Sequence, residues 1–86
     1  MKNYFPHGYD ARNNPKLIKV MMKHGIAGIG AYWCLIELLC EKGGQLLLSE
    51  CDSYAFAFRT EYDIIISLVN DFDLFENDAI VFWSRL

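Results

Sequence analysis

The chain has 86 residues, 53% of them hydrophobic, 15% aromatic and 22% charged, which fits one folded module and excludes a disordered tail or a linker. Its longest uncharged stretch, Gly25 to Ile36, has 12 residues and three glycines, too short to cross a bilayer roughly 30 Å thick. The net charge of −3 divides unevenly: residues 1–24 carry five basic groups against Asp10, or +4, and residues 25–86 carry three against ten carboxylates, or −7. Most of such a chain repels phosphate, so any contact with a polyanion is expected from its first segment. The opening MKNYFPHGYDARNNP has no signal-peptide pattern, and a cytoplasmic protein is expected.

In chain order, Asn14-Pro15 predicts a helix start, with Asn as N-cap and Pro where its missing N–H costs least. Helix one is expected to run to about His24, placing Leu17, Ile18 and Met21 on a packed side and Lys16, Lys19 and Lys23 on a basic one. Gly25 follows as a residue able to take positive φ. Gly25, Gly28 and Gly30 then predict a hinge into helix two, from Gly28 or Gly30 to Lys42, apolar nearly all round and therefore central. Gly43-Gly44 ends it, and Gln45 to Leu48 predicts a short strand.

Ser49 with Asp52, and Thr60 with Asp63, have capping-box spacing for helices three and four. Helix three carries Cys51, Tyr54, Ala55 and Phe58 on one stripe; helix four carries Ile64, Ile65, Leu68, Val69 and Phe72 inward. About three residues separate them, the spacing of a helix-turn-helix. Leu74 to Glu76, an Asn77-Asp78 turn and Ala79 to Ser84 predict a β-hairpin. The expected fold is mainly α with a small β wing (α+β): a winged helix-turn-helix with an extra N-terminal helix, in the order α-α-β-α-α-β-β, filling residues 1–86.

Cys34, Cys40 and Cys51 are an odd number without a C-x-x-C pair and read as small core hydrophobes rather than metal ligands or disulfides. His7 and His24 have no sequence-local nucleophile motif, and GIAGIG follows a helix rather than a strand, unlike a phosphate-cradling loop. Glu37 and Glu41 read as the solvated edge of helix two. No enzyme activity, cofactor, metal or small-molecule substrate is therefore expected.

The stretch FPHGYDARNNPKLIKVMMKHGIAGIGAYWCLIELLCEKGG, with LVNDFDLF and FWSRL, resembles an uncharacterised N-terminal domain of replication-related phage-type and mobile-element proteins. That domain is itself similar to the N-terminal winged helix of the DnaD primosomal loader. The resemblance covers essentially the whole chain and implies the N-terminal region of a longer protein.

The outward face expected of helix four, Asp63, Ile66, Ser67, Asn70 and Asp71, has no Lys or Arg. Duplex reading through that helix would lack phosphate anchors and is not expected. The candidate nucleic-acid contacts are instead Arg12, Lys16, Lys19 and Lys23. The candidate partner surface is Tyr4, Phe5, Ile66, Phe82 and Trp83, apolar groups near the chain ends or on a polar face. The expected function is non-catalytic: assembly with a protein partner or self-association. The alternative is DNA binding through the basic first helix.

Overall fold

A computed structural model describes residues 14–85. The helix start at Asn14 forms as the sequence predicts: Asn14 Oδ1 accepts the Lys16 backbone N–H at 2.9 Å, and Pro15 occupies the first turn. Helix α1 spans Pro15–Glu41 and is interrupted at Gly25, whose φ of 70° and ψ of −157° divide it into arms 15–24 and 26–41. The expected hinge is therefore a single residue, and Gly28 and Gly30 are helical. A Cβ at Gly28 would stand 2.5 Å from His24 Cβ and 3.0 Å from Val20 Cγ1. The elbow thus needs a positive-φ residue at 25 and no side chain at 28.

Helix α1 ends in a Schellman turn, with Gly43 at φ 83° and the Gly44 N–H donating to the Leu39 carbonyl at 2.7 Å. Strand β1 (Leu46–Leu47) and a 3₁₀ turn (Leu48–Glu50) lead into α2 (Cys51–Ala57). A four-residue turn joins α2 to α3 (Tyr62–Asn70). Neither expected capping box forms. The caps are Glu50 and Glu61, and neither helix start carries a side-chain capping bond. The 3₁₀ turn absorbs Ser49 as the chain enters α2. The α2 C-terminus is again a Schellman turn, in which Arg59 (φ 59°) takes the left-handed position usual for glycine. The Thr60 N–H donates to the Ala55 carbonyl at 2.9 Å and the Arg59 N–H to that of Phe56 at 3.1 Å.

Strands β2 (Phe75–Asn77) and β3 (Val81–Ser84) form a hairpin, and β1 pairs on the far side of β3, giving an antiparallel sheet in the order β1-β3-β2. The register sets Leu46 opposite Phe82 and Glu76 opposite Trp83. The hairpin loop is the three residues 78–80 rather than the expected two-residue Asn77-Asp78 turn, since Asn77 pairs within β2. Asp78 closes it, its Oδ1 accepting the N–H groups of Ile80 (3.0 Å) and Val81 (2.9 Å) while Ala79 takes φ 79°.

The protein is thus mostly helical with a small three-stranded antiparallel sheet, an α+β arrangement compatible with a wing. Its core joins Leu17, Val20, Tyr32, Leu35 and Leu39 of α1 to Cys51, Ala55, Ile65, Leu68, Leu74 and Phe82. Aromatic rings tie the sheet to the helices: Phe82 meets Tyr54 of α2 edge-on at 6.5 Å, and Phe75 packs against Tyr32 of α1 at 5.7 Å. Burial pushes the Tyr32 phenol up to about 12.

Candidate functional site

Two lysines of the first arm are held by carboxylates of the segment after α3. Lys16 Nζ donates to the Asp73 carbonyl oxygen at 2.8 Å and lies 3.3 Å from the Asp73 carboxylate. Lys23 Nζ lies 3.5 Å from Asp71 Oδ2 and 6.0 Å from the Phe72 ring centroid. Arg85 continues the network, 3.1 Å from Asp73 and 2.8 Å from Glu76. Lys19 is exposed and has no ion pair among the described residues. Arg12 lies outside the described residues. The basic stripe therefore serves largely as a contact between α1 and the α3–β2 segment, a pairing that sequence-local reading could not find because 57 residues separate Lys16 from Asp73.

Beneath it, His24 Nε2 and Ser67 Oγ are 2.9 Å apart, and Ser67 Oγ donates to Asp71 Oδ2 at 3.0 Å. Since the Ser67 proton goes to the carboxylate, His24 Nε2–H is the donor to the hydroxyl oxygen. The His24 ring also meets Phe72 edge-on at 5.8 Å. A hydroxyl between imidazole and carboxylate stands where a hydrolase triad has its base, so the imidazole is not oriented by the carboxylate, and Ser67 is buried. This clasp joins α1 to α3 and leaves no attacking atom exposed.

The expected outward face of α3 is partly internal. Asp63, Asn70 and Asp71 are exposed, Ser67 is buried, and Ile66 is half-buried against the core. Phe82 corrects the expected partner surface: it is fully buried, because β3 is the central strand and its inward residue packs on Phe75 and Tyr54. Trp83, on the other face of β3, is half-buried. Tyr4 and Phe5 lie outside the described residues.

The apolar groups that do face solvent are others. Ile18 and Met21, expected on the packed side of helix one, are exposed; the buried apolar residues of that arm are Leu17 and Val20. Met22 is 81% exposed, Ile26 and Phe56 74%, and Ile80 67%. The cysteines divide similarly: Cys51 is a core residue whose thiol burial pushes up to about 11, whereas Cys34 is half-buried and Cys40 exposed. The expectation of three core cysteines holds for Cys51.

A shallow cleft of about 240 Å³ opens between arm 26–41 and the α2–α3 turn, floored by Ala27, Gly30, Ala31 and Cys34 and walled by Phe58, Arg59 and Thr60. The Arg59 guanidinium lies 5.5 Å from the Phe56 ring centroid, a cation–π contact. Among the described residues no group of His, Cys, Asp or Glu is placed to hold a metal ion. No helix of the described residues is long and apolar enough to cross a membrane.

Neither curated proteins nor solved structures include a significant match to the chain. A family model does match it, over residues 4–86, which takes in both the clasp and the cleft. The chain belongs to the Lin1244/Lin1753-like N-terminal domain family.

Proposed function

We propose that this chain is a non-catalytic winged-helix module of a replication-type phage or mobile-element protein, acting in the cytoplasm through protein–protein assembly or self-association. The element order and the β1-β3-β2 sheet support the winged-helix reading, with the β2–β3 hairpin as the wing. The family's description as an N-terminal domain supports a place at the start of a longer protein. The observation that carries the assembly reading is the engagement of Lys16 and Lys23 by Asp73 and Asp71, together with exposed Met22, Ile26, Phe56 and Ile80. Cations already paired offer little to phosphate, and exposed apolar groups are what a protein partner covers.

The DNA-binding alternative draws on Lys19, which is exposed and carries no ion pair among the described residues. Two measurements separate the readings: sedimentation velocity across protein concentration, and duplex-DNA titration at two salt concentrations. Assembly predicts larger species at higher concentration and no salt-steep DNA binding. A monomer whose DNA affinity falls steeply with salt would overturn it in favour of phosphate contact through the first helix.

A further inference from the structure

We infer that the cleft beside the α2–α3 turn receives the β2–β3 hairpin tip of a second copy of this chain, in a head-to-tail contact; this rests on the self-association reading above. The cleft, about 240 Å³, is smaller than the roughly 300–1,000 Å³ of pockets that enclose cofactors or drug-sized ligands. Its size suits a side chain. The floor has a glycine that the chain's own packing does not require: a Cβ at Gly30 would meet nothing within 4 Å. Glycine inside a helix costs about 1 kcal/mol relative to alanine, and at Gly28 a close contact accounts for that cost, whereas at Gly30 the space stays open. At one end of the rim stands Arg59, fixed by the Schellman turn and by Phe56 beneath it, with no carboxylate partner among the described residues. Arg59 is the one charged side chain among the residues that line the cleft, so the cleft seeks an anion at that end.

The hairpin tip offers the complementary pair. Ile80 is 67% exposed, and two residues before it the Asp78 carboxylate is held in place by the N–H groups of Ile80 and Val81. An aliphatic side chain beside an ordered carboxylate is what an apolar floor beside an unpaired guanidinium would recognise. Within one chain Ile80 is exposed, so it does not fill that chain's own cleft. Because tip and cleft are different surfaces, the contact is heterologous: each copy keeps one of each free, and assembly continues past the dimer unless it closes into a ring. A contact built on one inserted side chain falls at the small end of interfaces, so assembly should need high protein concentration.

The test uses Gly30→Leu, whose Cβ meets nothing within 4 Å and whose side chain occupies the cleft, and Ile80→Ser, which blunts the tip but keeps Asp78. The wild-type chain is expected to grow with concentration in sedimentation velocity. Each variant alone should stay monomeric at the concentration where half the wild type is associated. Their equimolar mixture should stop at a heterodimer, because one intact tip then meets one intact cleft. Arg59→Glu gives an independent check that leaves α1 and Gly30 unchanged, with association weakened at least tenfold. Wild-type-like association of all three variants would overturn the tip-in-cleft contact while leaving self-association standing. Monomeric variants whose mixture stays monomeric would overturn the head-to-tail geometry, and a wild type monomeric at every concentration would remove both this contact and the self-association reading.

Discussion

Gly28 and Gly30 stand two residues apart in the same helix, yet alanine at each should move stability in opposite directions. In a helix interior, alanine is favoured over glycine by about 1 kcal/mol. At Gly30 that gain meets no opposition, since an added Cβ touches nothing within 4 Å. Gly30→Ala should therefore stabilise by up to about 1 kcal/mol, a rise of roughly 4–8 °C in Tm for a domain of this size. At Gly28 the added Cβ would stand 2.5 Å from His24 Cβ and 3.0 Å from Val20 Cγ1. Both atoms are close to the backbone, and Val20 is fully buried, so neither can swing aside. Overpacking of this kind costs about 1–3 kcal/mol, and with two contacts the upper end applies. After the propensity gain, Gly28→Ala should lose about 2 kcal/mol, or roughly 8–16 °C. Thermal and urea unfolding followed by circular dichroism would measure both, with an unchanged urea m-value showing that the denatured state is unaffected. A Gly28→Ala protein as stable as wild type would refute the close elbow, and with it the argument that Gly25 and Gly28 act together.

The other predictions concern single groups. Ser67→Ala should cost about 1–2 kcal/mol by leaving His24 and Asp71 without their shared hydroxyl; a double-mutant cycle with His24→Ala should show a coupling of at least about 0.5 kcal/mol, and strict additivity would mean that the clasp contributes nothing. Native protein at pH 8 should react with a thiol reagent fastest at Cys40, more slowly at Cys34, and at Cys51 only after unfolding; equal rates at all three would contradict the placement of Cys51 in the core. Burial raises the folded-state pKa of Tyr32 from 10.0 to about 12, so its contribution is complete below pH 10 and is lost as pH rises through about 12. Alkaline unfolding should follow, and Tyr32→Phe should move its midpoint to higher pH. Under the DNA-binding alternative, Asp71→Asn should release Lys23 from its ion pair and steepen the salt dependence of duplex binding by about one unit of log K per log salt, whereas Asp73→Asn should change it less, because Lys16 keeps the Asp73 backbone carbonyl; an unchanged slope for Asp71→Asn in a protein that binds duplex would show that this carboxylate does not restrain Lys23.

The elements of the fold that are legible in the sequence are those written in local chemistry. Asn14-Pro15, Gly25 and Gly43-Gly44 each announce a helix boundary through a cap, a positive φ or a missing side chain, and each boundary stands where that chemistry puts it. The inward stripe of α3 is legible too, since Ile65, Leu68 and Val69 follow the helical period. The capping boxes fail because Ser49 is drawn into a 3₁₀ turn and Arg59 closes α2 in the position usual for glycine. Nothing in the sequence distinguishes an arginine that will adopt positive φ. Phe82 reads as a surface residue because it lies near the chain end, but it belongs to the central strand, and strand order is a property of pairing across the sheet. Ile18 and Met21 mislead for a related reason. A helical wheel shows which residues are apolar and not how wide a face the core will cover.

The charge division of the chain has its strongest expression inside the fold. Lys16 and Lys23 from the positive segment meet Asp73 and Asp71 from the negative one, and Arg85 joins Asp73 to Glu76. Exposed ion pairs of this sort contribute little stability individually, about 0–1 kcal/mol each, so their effect on specificity is the larger one. They fix how the first arm lies against α3, and the His24–Ser67–Asp71 clasp ties the same two elements at a less exposed level. They engage Asp71, Asp73 and Glu76 and leave the other seven carboxylates of residues 25–86 without an ion pair among the described residues. The cations without an ion pair among the described residues are few: Lys19 on the first arm, Lys42 at the end of α1, and Arg59 over its aromatic ring. Three cations among exposed apolar side chains favour contacts in which shape and burial set the affinity and a single charge sets the orientation. That balance makes Arg59, rather than the lysine stripe, the cation expected to orient a partner.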